Sequence, residues 1–111
     1  MRLQVKGKNV EVTPSLRDYA EGKLSKLSRR LAEPTPIELE LSEERNPAIA
    51  EPCVAEATVF VKGTTLRARE TSTEMRTAID HLVDKLERQV TRYRQLRRVE
   101  PRRHADHHGI T

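Results

Sequence analysis

Cys53-Val54-Ala55-Glu56-Ala57-Thr58-Val59-Phe60-Val61-Lys62-Gly63-Thr64-Thr65-Leu66-Arg67-Ala68-Arg69-Glu70 alternates with a period of two on both sides of a glycine. Cys53, Ala55, Ala57, Val59 and Val61 share one face, and Val54, Glu56, Thr58, Phe60 and Lys62 share the other, as a strand requires. Gly63 with Thr64 supplies a hairpin turn. Leu66 and Ala68 then face the core, with Arg67 and Arg69 turned away. A lone hairpin with one apolar face is marginal in water, so it needs further strands and a cover.

The flanking sequence supplies both. Ile37-Glu38-Leu39-Glu40-Leu41 alternates strictly, which predicts a strand with one wet face. Residues 43–52 hold two prolines and four charges and read as a loop with little to bury. Leu3 and Val5, alternating with Gln4 and Lys6, predict a short strand that Gly7-Lys8-Asn9 breaks. Thr13 suits a helix N-cap, Pro14 the first helical position, and Asp18 falls near the positive end of the dipole. Leu16, Ala20, Leu24, Leu27 and Leu31 form one apolar stripe, and Pro34 and Pro36 stop that helix by about Glu33. Downstream, Thr71-Ser72-Thr73-Glu74 offers caps for a second helix. Met75, Ile79, Leu82, Val83, Leu86, Val90 and Tyr93 carry its stripe to about Leu96. The order β-α-β-β-β-α predicts an α+β fold, a four-stranded sheet with two roughly parallel helices on one face. Residues 1–98 form this domain; residues 99–111 are expected to be a disordered tail containing arginines and histidines.

Composition narrows the function. The chain has 111 residues, 35% of them hydrophobic and 34% charged, with Phe60, Tyr19 and Tyr93 the only aromatic residues. One aliphatic core is expected. The lone Cys53 makes no internal disulfide, which fits a reducing cytoplasm, and the N-terminus carries no signal-peptide apolar region. No apolar run approaches the roughly 20 residues of a membrane helix. Net charge is +4, unevenly spread: residues 1–61 carry −1 and residues 62–103 carry +6. An anionic partner is implied.

Helical geometry places the charges. Measured from Met75, Lys85, Arg88 and Arg92 fall at about 280°, 220° and 260°, whereas Asp80, Asp84 and Glu87 fall at about 140°, 180° and 120°. Basic and acidic residues take opposite flanks. In the first helix, measured from Leu16, Lys23, Lys26 and Arg30 lie at about 340°, 280° and 320°. Each helix thus has a basic shoulder on the same rotational side of its stripe, and side-by-side packing would join shoulder and groove into one surface. Arg94, Arg97, Arg98, Arg102 and Arg103 crowd the end beyond. Such a surface suits phosphates: lysine offers a mobile point charge and arginine a two-pronged grip. With only Phe60 facing outward on the strands, backbone and shape recognition is expected rather than base stacking.

Other signals stay weak. His104, His107 and His108 have no carboxylate or cysteine at zinc-site spacing. Cys53 has no histidine near it in the pattern. Glu38 and Glu40 read as solvated. No phosphate loop, nucleophile elbow or dinucleotide fingerprint occurs, so no enzymatic role, cofactor, metal or small-molecule substrate is expected.

Two stretches, Val5-Lys6-Gly7-Lys8-Asn9-Val10-Glu11-Val12-Thr13-Pro14-Ser15-Leu16-Arg17-Asp18-Tyr19 and Met75-Arg76-Thr77-Ala78-Ile79-Asp80-His81-Leu82-Val83-Asp84-Lys85-Leu86-Glu87-Arg88-Gln89-Val90, resemble ribosome hibernation promoting factors and the related ribosome-associated inhibitor. The hairpin around Gly63 fits between them, and the likeness covers about residues 2–98. It implies a fold related to double-stranded-RNA-binding domains. It also implies binding to 16S rRNA of the small ribosomal subunit, and to the 70S ribosome, in the decoding channel, with the mRNA path and tRNA sites blocked. The family's rRNA-facing helix residues correspond here to Lys23, Lys26, Arg30, Lys85, Arg88 and Arg92; Arg76 and Arg94 complete the expected RNA-binding set.

Two departures stand out. Arg76 replaces the family's usual tyrosine, exchanging a stacking or packing contact for a phosphate contact. Gly22 sits in mid-helix, at a cost of roughly 1 kcal/mol relative to alanine. Long family members add a C-terminal domain that dimerises ribosomes. This chain ends before one, so it is expected to be a short member or part of a long one, with homodimerisation only in the second case. Two other expectations compete: a general structured-RNA binder, and a protein-interaction module that modulates a transcription factor through its exposed sheet.

Overall fold

The computed structural model describes residues 1–31 and 35–107, with side chains described as far as Leu96. In chain order the elements are β1 (Arg2–Lys8), α1 (Pro14–Ser28), β2 (Pro36–Glu43), β3 (Cys53–Val61), β4 (Thr64–Ser72) and α2 (Met75–His107). The strands form one sheet in the order β1-β2-β3-β4. β1 pairs in parallel with β2 across the α1 crossover, and β2, β3 and β4 form an antiparallel meander.

The registers align whole rows of side chains. Leu3, Ile37, Val59 and Leu66 are successive partners across the four strands, as are Val5, Leu39, Ala57 and Ala68. These rows form the inner face. Ala20, Leu24 and Leu27 of α1 and Ala78, Ile79, Leu82, Leu86 and Val90 of α2 pack on it in one buried cluster. Both helices therefore cover the same face, as the single apolar stripe on each requires. The small inward residues Ala55, Ala57 and Ala68 lie on β3 and β4, the strands that α2 contacts.

Local chemistry explains most boundaries. The Thr13 Oγ1 accepts a hydrogen bond from the Leu16 N–H at 3.1 Å, with Pro14 opening α1. α1 ends at Ser28, and Arg30 and Leu31 continue as a turn bonded to Leu27 and Ser28; the proposed stop at Glu33 and Pro34 lies outside the described residues. The hairpin turn is Lys62-Gly63, one residue earlier than Gly63-Thr64, because Thr64 already pairs with Val61. Gly63 takes φ 88° there, which side-chain-bearing residues rarely adopt.

Two expectations change. Gly7 does not break β1. A Cβ there would lie 2.5 Å from the Val10 carbonyl oxygen and 2.9 Å from Val12 Cγ2, so the glycine lets the following chain fold tightly back over the strand, with Asn9 at φ 63°. The loop after β2 is exposed over residues 43–51, as its composition suggests. It closes through the Glu44 N–H to the Pro52 carbonyl at 2.8 Å, and Thr71 Oγ1 donates to Glu51 at 2.7 Å. Ile49 and Ala50 line a groove with Val54, which is only 4% exposed although it lies on the open face. Finally, α2 does not end near Leu96 but runs to His107. The apolar stripe stops at Leu96, and residues 94–98 are good helix formers without glycine that carry the helix past it; nothing in the structure explains its continuing through Pro101, which has no backbone N–H. The tail's last residues, His108 included, lie outside the described residues.

Candidate nucleic-acid interface

The two helices lie parallel and in register. Arg76 donates to the Ser15 Oγ at 2.6 Å, the Tyr19 hydroxyl donates to Asp80 Oδ1, and Arg30 donates to the Thr91 Oγ1 at 2.6 Å. Each pair is separated by 61 residues, so the seam keeps one register along α1.

Asp80 is the hub of this seam. Its Oδ1 also meets Lys23 Nζ at 3.3 Å, with both side chains about 40% exposed (40% and 39%). The Arg76 guanidinium lies 4.8 Å and the Lys23 ammonium 5.6 Å from the centre of the Tyr19 ring, in cation–π range. The hydrogen bond to Asp80, followed by burial and the Asp80 charge, pushes the Tyr19 hydroxyl above its usual pKa. The same carboxylate raises that of Lys23 by its hydrogen bond and charge. Arg76 thus stacks on Tyr19.

This arrangement divides the eight basic residues into two groups. Lys23 and Arg76 belong to the Asp80–Tyr19 seam. Arg30 donates to the Glu87 carbonyl at 3.3 Å as well as to Thr91. Lys85 pairs with Glu70 at 3.2 Å and reaches the Arg69 carbonyl at 3.5 Å. Lys26, Arg88, Arg92 and Arg94 are exposed, and among the described residues none of the four meets a polar partner. They can take up a phosphate without giving up an existing bond.

The two basic shoulders do not merge as expected. The α1 shoulder faces the acidic flank of α2, so Asp80 and Glu87 lie along the seam between it and Arg88. On the far flank of α2, Lys85, Gln89 and Tyr93 donate to the carbonyls of Arg69, Arg67 and Lys62 at 3.5, 2.9 and 3.0 Å. These acceptors lie on β4, an edge strand, and its hairpin. Lys85 therefore caps an otherwise open strand edge, a way of discouraging edge-to-edge pairing. Sequence reasoning placed the basic residues but missed the Tyr19–Asp80 hub and this edge cap, both of which depend on which element packs beside each flank. The one available signal was Tyr19 itself, at about 300° on α1 and so within the basic shoulder.

The remaining surface is different in kind. Lys6, Glu40, Glu56 and Arg69 are successive partners across the open sheet face, with the two glutamates directly opposite one another and a cation at each end. Phe60 is 41% exposed on the same face. Cys53 is buried, with its Sγ 3.7 Å from the Thr73 carbonyl, and burial pushes the thiol pKa up, helped by Glu43 and Glu74. No cluster of three or more metal-ligating side chains occurs among the described residues, and no helix among them is long and apolar enough to cross a membrane.

A family described as sigma 54 modulation protein / S30EA ribosomal protein matches residues 3–98. The chain belongs to this family. Among its relatives are ribosome hibernation promotion factors. That of Picosynechococcus is 36% identical over 96 residues, covering 86% of this chain and 50% of the relative. That of Azotobacter vinelandii is 33% identical and covers 96% of both chains. The chain thus spans about half of the Picosynechococcus and Lactococcus relatives (50% and 54%) and nearly all of shorter family members. The N-terminal domain of Thermus thermophilus Protein Y superposes with a TM-score of 0.74 at 33% identity, covering 84% of this chain and 99% of that domain. A ribosomal subunit interface protein from Coxiella burnetii gives 0.71 at 26%, covering 86% and 99%. The α+β architecture and the ribosome hibernation family expected from the two quoted stretches are both borne out.

Proposed function

We propose that this chain is a ribosome hibernation factor. It docks the outer faces of α1 and α2 on rRNA of the small subunit, in the decoding channel, and silences translation by occupying the mRNA and tRNA sites. The supporting observation is the set of exposed cations Lys26, Arg88, Arg92 and Arg94 on the helix layer, whose side chains meet no polar partner among the described residues, in a chain whose relatives carry the name hibernation promotion factor. Lys23, Arg30 and Arg76 hold α1 against α2 and so set the spacing between the free cations. The mechanism is electrostatic docking and steric exclusion, with no bond made or broken.

Co-sedimentation with small subunits and 70S ribosomes, with and without excess tRNA and mRNA, tests this. Saturable one-to-one binding displaced by tRNA and mRNA is expected. Binding that bulk structured RNA removes equally well would reduce the chain to a general RNA binder. Binding that tolerates charge reversal at Arg88 and Arg92 but fails on changing Phe60 would move the site to the open sheet face and a protein partner.

A further inference from the structure

Gly22 occupies the middle of α1 (Pro14–Ser28), is exposed, and is absent from the positive-φ residues, among which Gly63 is the sole glycine of the described residues. A Cβ built on it meets nothing within 4 Å. Neither of the usual structural reasons for glycine applies here: there is no left-handed backbone and no close approach among the described residues. Gly7 makes the contrast, because a Cβ there would strike the Val10 carbonyl oxygen at 2.5 Å. The fold would gain by any good helix former at position 22.

The surroundings of this bare stretch are cationic. Lys23, Lys26 and Arg29 follow within two turns. Side chains on a helix lean toward its N-terminus, so the residue four positions on covers the turn of residue 22. That residue is Lys26, the one member of the α1 shoulder set with no polar partner among the described residues. Ser25, the other neighbour one turn on, turns its hydroxyl back to the Gly22 carbonyl at 3.0 Å and so leaves the notch open.

We infer that Gly22 is a close-approach point for the nucleic-acid backbone, where a sugar–phosphate segment held by Lys26 packs flush on the bare helix. This rests on the proposed rRNA-binding reading and adds a steric determinant to it. Lysines alone would accept phosphates at many distances; a notch beside a lysine selects a segment that fits against the helix, which is shape discrimination rather than charge.

The full chain carrying Gly22→Ala and, separately, Gly22→Gln should be compared with the parent for thermal midpoint and for affinity to small ribosomal subunits. Both variants are expected to melt higher, by about 4 °C for alanine, while affinity falls about tenfold or more, with glutamine worse than alanine. The log–log salt slope should stay unchanged because no cation is lost. A purely structural role could not raise stability and lower affinity together. Parental affinity in both folded variants would overturn the inference. Lys26→Glu separates it from the underlying reading: loss of binding there with intact binding in the Gly22 variants rejects the notch alone. Failure of the parent chain to bind subunits rejects both.

Discussion

Replacing Lys26, Arg88 and Arg92 together by glutamine should flatten the salt dependence of ribosome binding without unfolding the protein. The count comes from the structure. Lys26, Arg88, Arg92 and Arg94 are the residues of the basic set with no polar partner among the described residues. Each phosphate neutralised contributes about 0.9 to the log–log slope, so four free cations give about 3.6 and removal of three leaves about 0.9. Between about 50 and 200 mM salt the parent should lose roughly 150-fold in affinity and the variant only about 3- to 4-fold. All three side chains are exposed, so unfolding free energy should change by less than about 0.5 kcal/mol. Sedimentation titrations at four salt concentrations, with urea unfolding on the same preparations, measure both quantities. A folded variant whose slope stays within about one unit of the parent would refute the division into free and engaged cations. So would an equal drop from Lys85→Gln alone, because Lys85 is already committed to Glu70 and Arg69.

The same geometry gives other outcomes. Lys85→Glu sets a carboxylate against Glu70 and the Arg69 carbonyl, so it should lower the melting temperature and promote association through the uncapped β4 edge, seen by calorimetry and light scattering; Arg88→Glu should do neither. Gly7→Ala drives a Cβ toward the Val10 carbonyl, 2.5 Å away, and should cost about 2 kcal/mol or more in urea unfolding. Alkaline stability should fall. The fold raises the pKa values of Cys53, Tyr19 and Lys23, so the native state keeps protons that the unfolded chain releases. Stability is then full below the unfolded thiol value near about 8.5 and declines as pH rises through the tyrosine and lysine range near about 10. Urea midpoints at pH 7, 9 and 10.5 would show it; Tyr19→Phe should flatten the upper part, and a level profile would contradict the Asp80 hub.

Elements and faces were legible because they follow from local rules. Alternation in 37–41 and 53–70 places Leu39, Ala57 and Ala68 on apolar faces, and Thr13-Pro14 ahead of the Leu16–Leu27 stripe marks a helix start. The end of α2 was less legible, because the stripe that marks packing stops at Leu96 while the helix continues to His107. The loop at 43–52 buries little of itself, as its composition indicates; that Ile49 and Ala50 lie beside Val54 depends on its path, about which composition carries no information. The basic residues were found from their angles on each helix, but whether a cation is free depends on its neighbour in space.

By itself, then, the sequence determined the order of the elements, the apolar face of each and the basic shoulder of each helix, all properties of periodicity and local capping, while the family came from the resemblance of two particular stretches. Tertiary structure alone decided which flank of α2 meets α1. That placement joins Lys23 to Asp80 and Arg30 to Thr91, sends Lys85 to the β4 edge, and leaves Lys26, Arg88, Arg92 and Arg94 open. The physical reason is that a helix's charge pattern is set by its own 3.6-residue repeat, whereas its pairing is set by the helix and strand that its apolar stripe forces beside it.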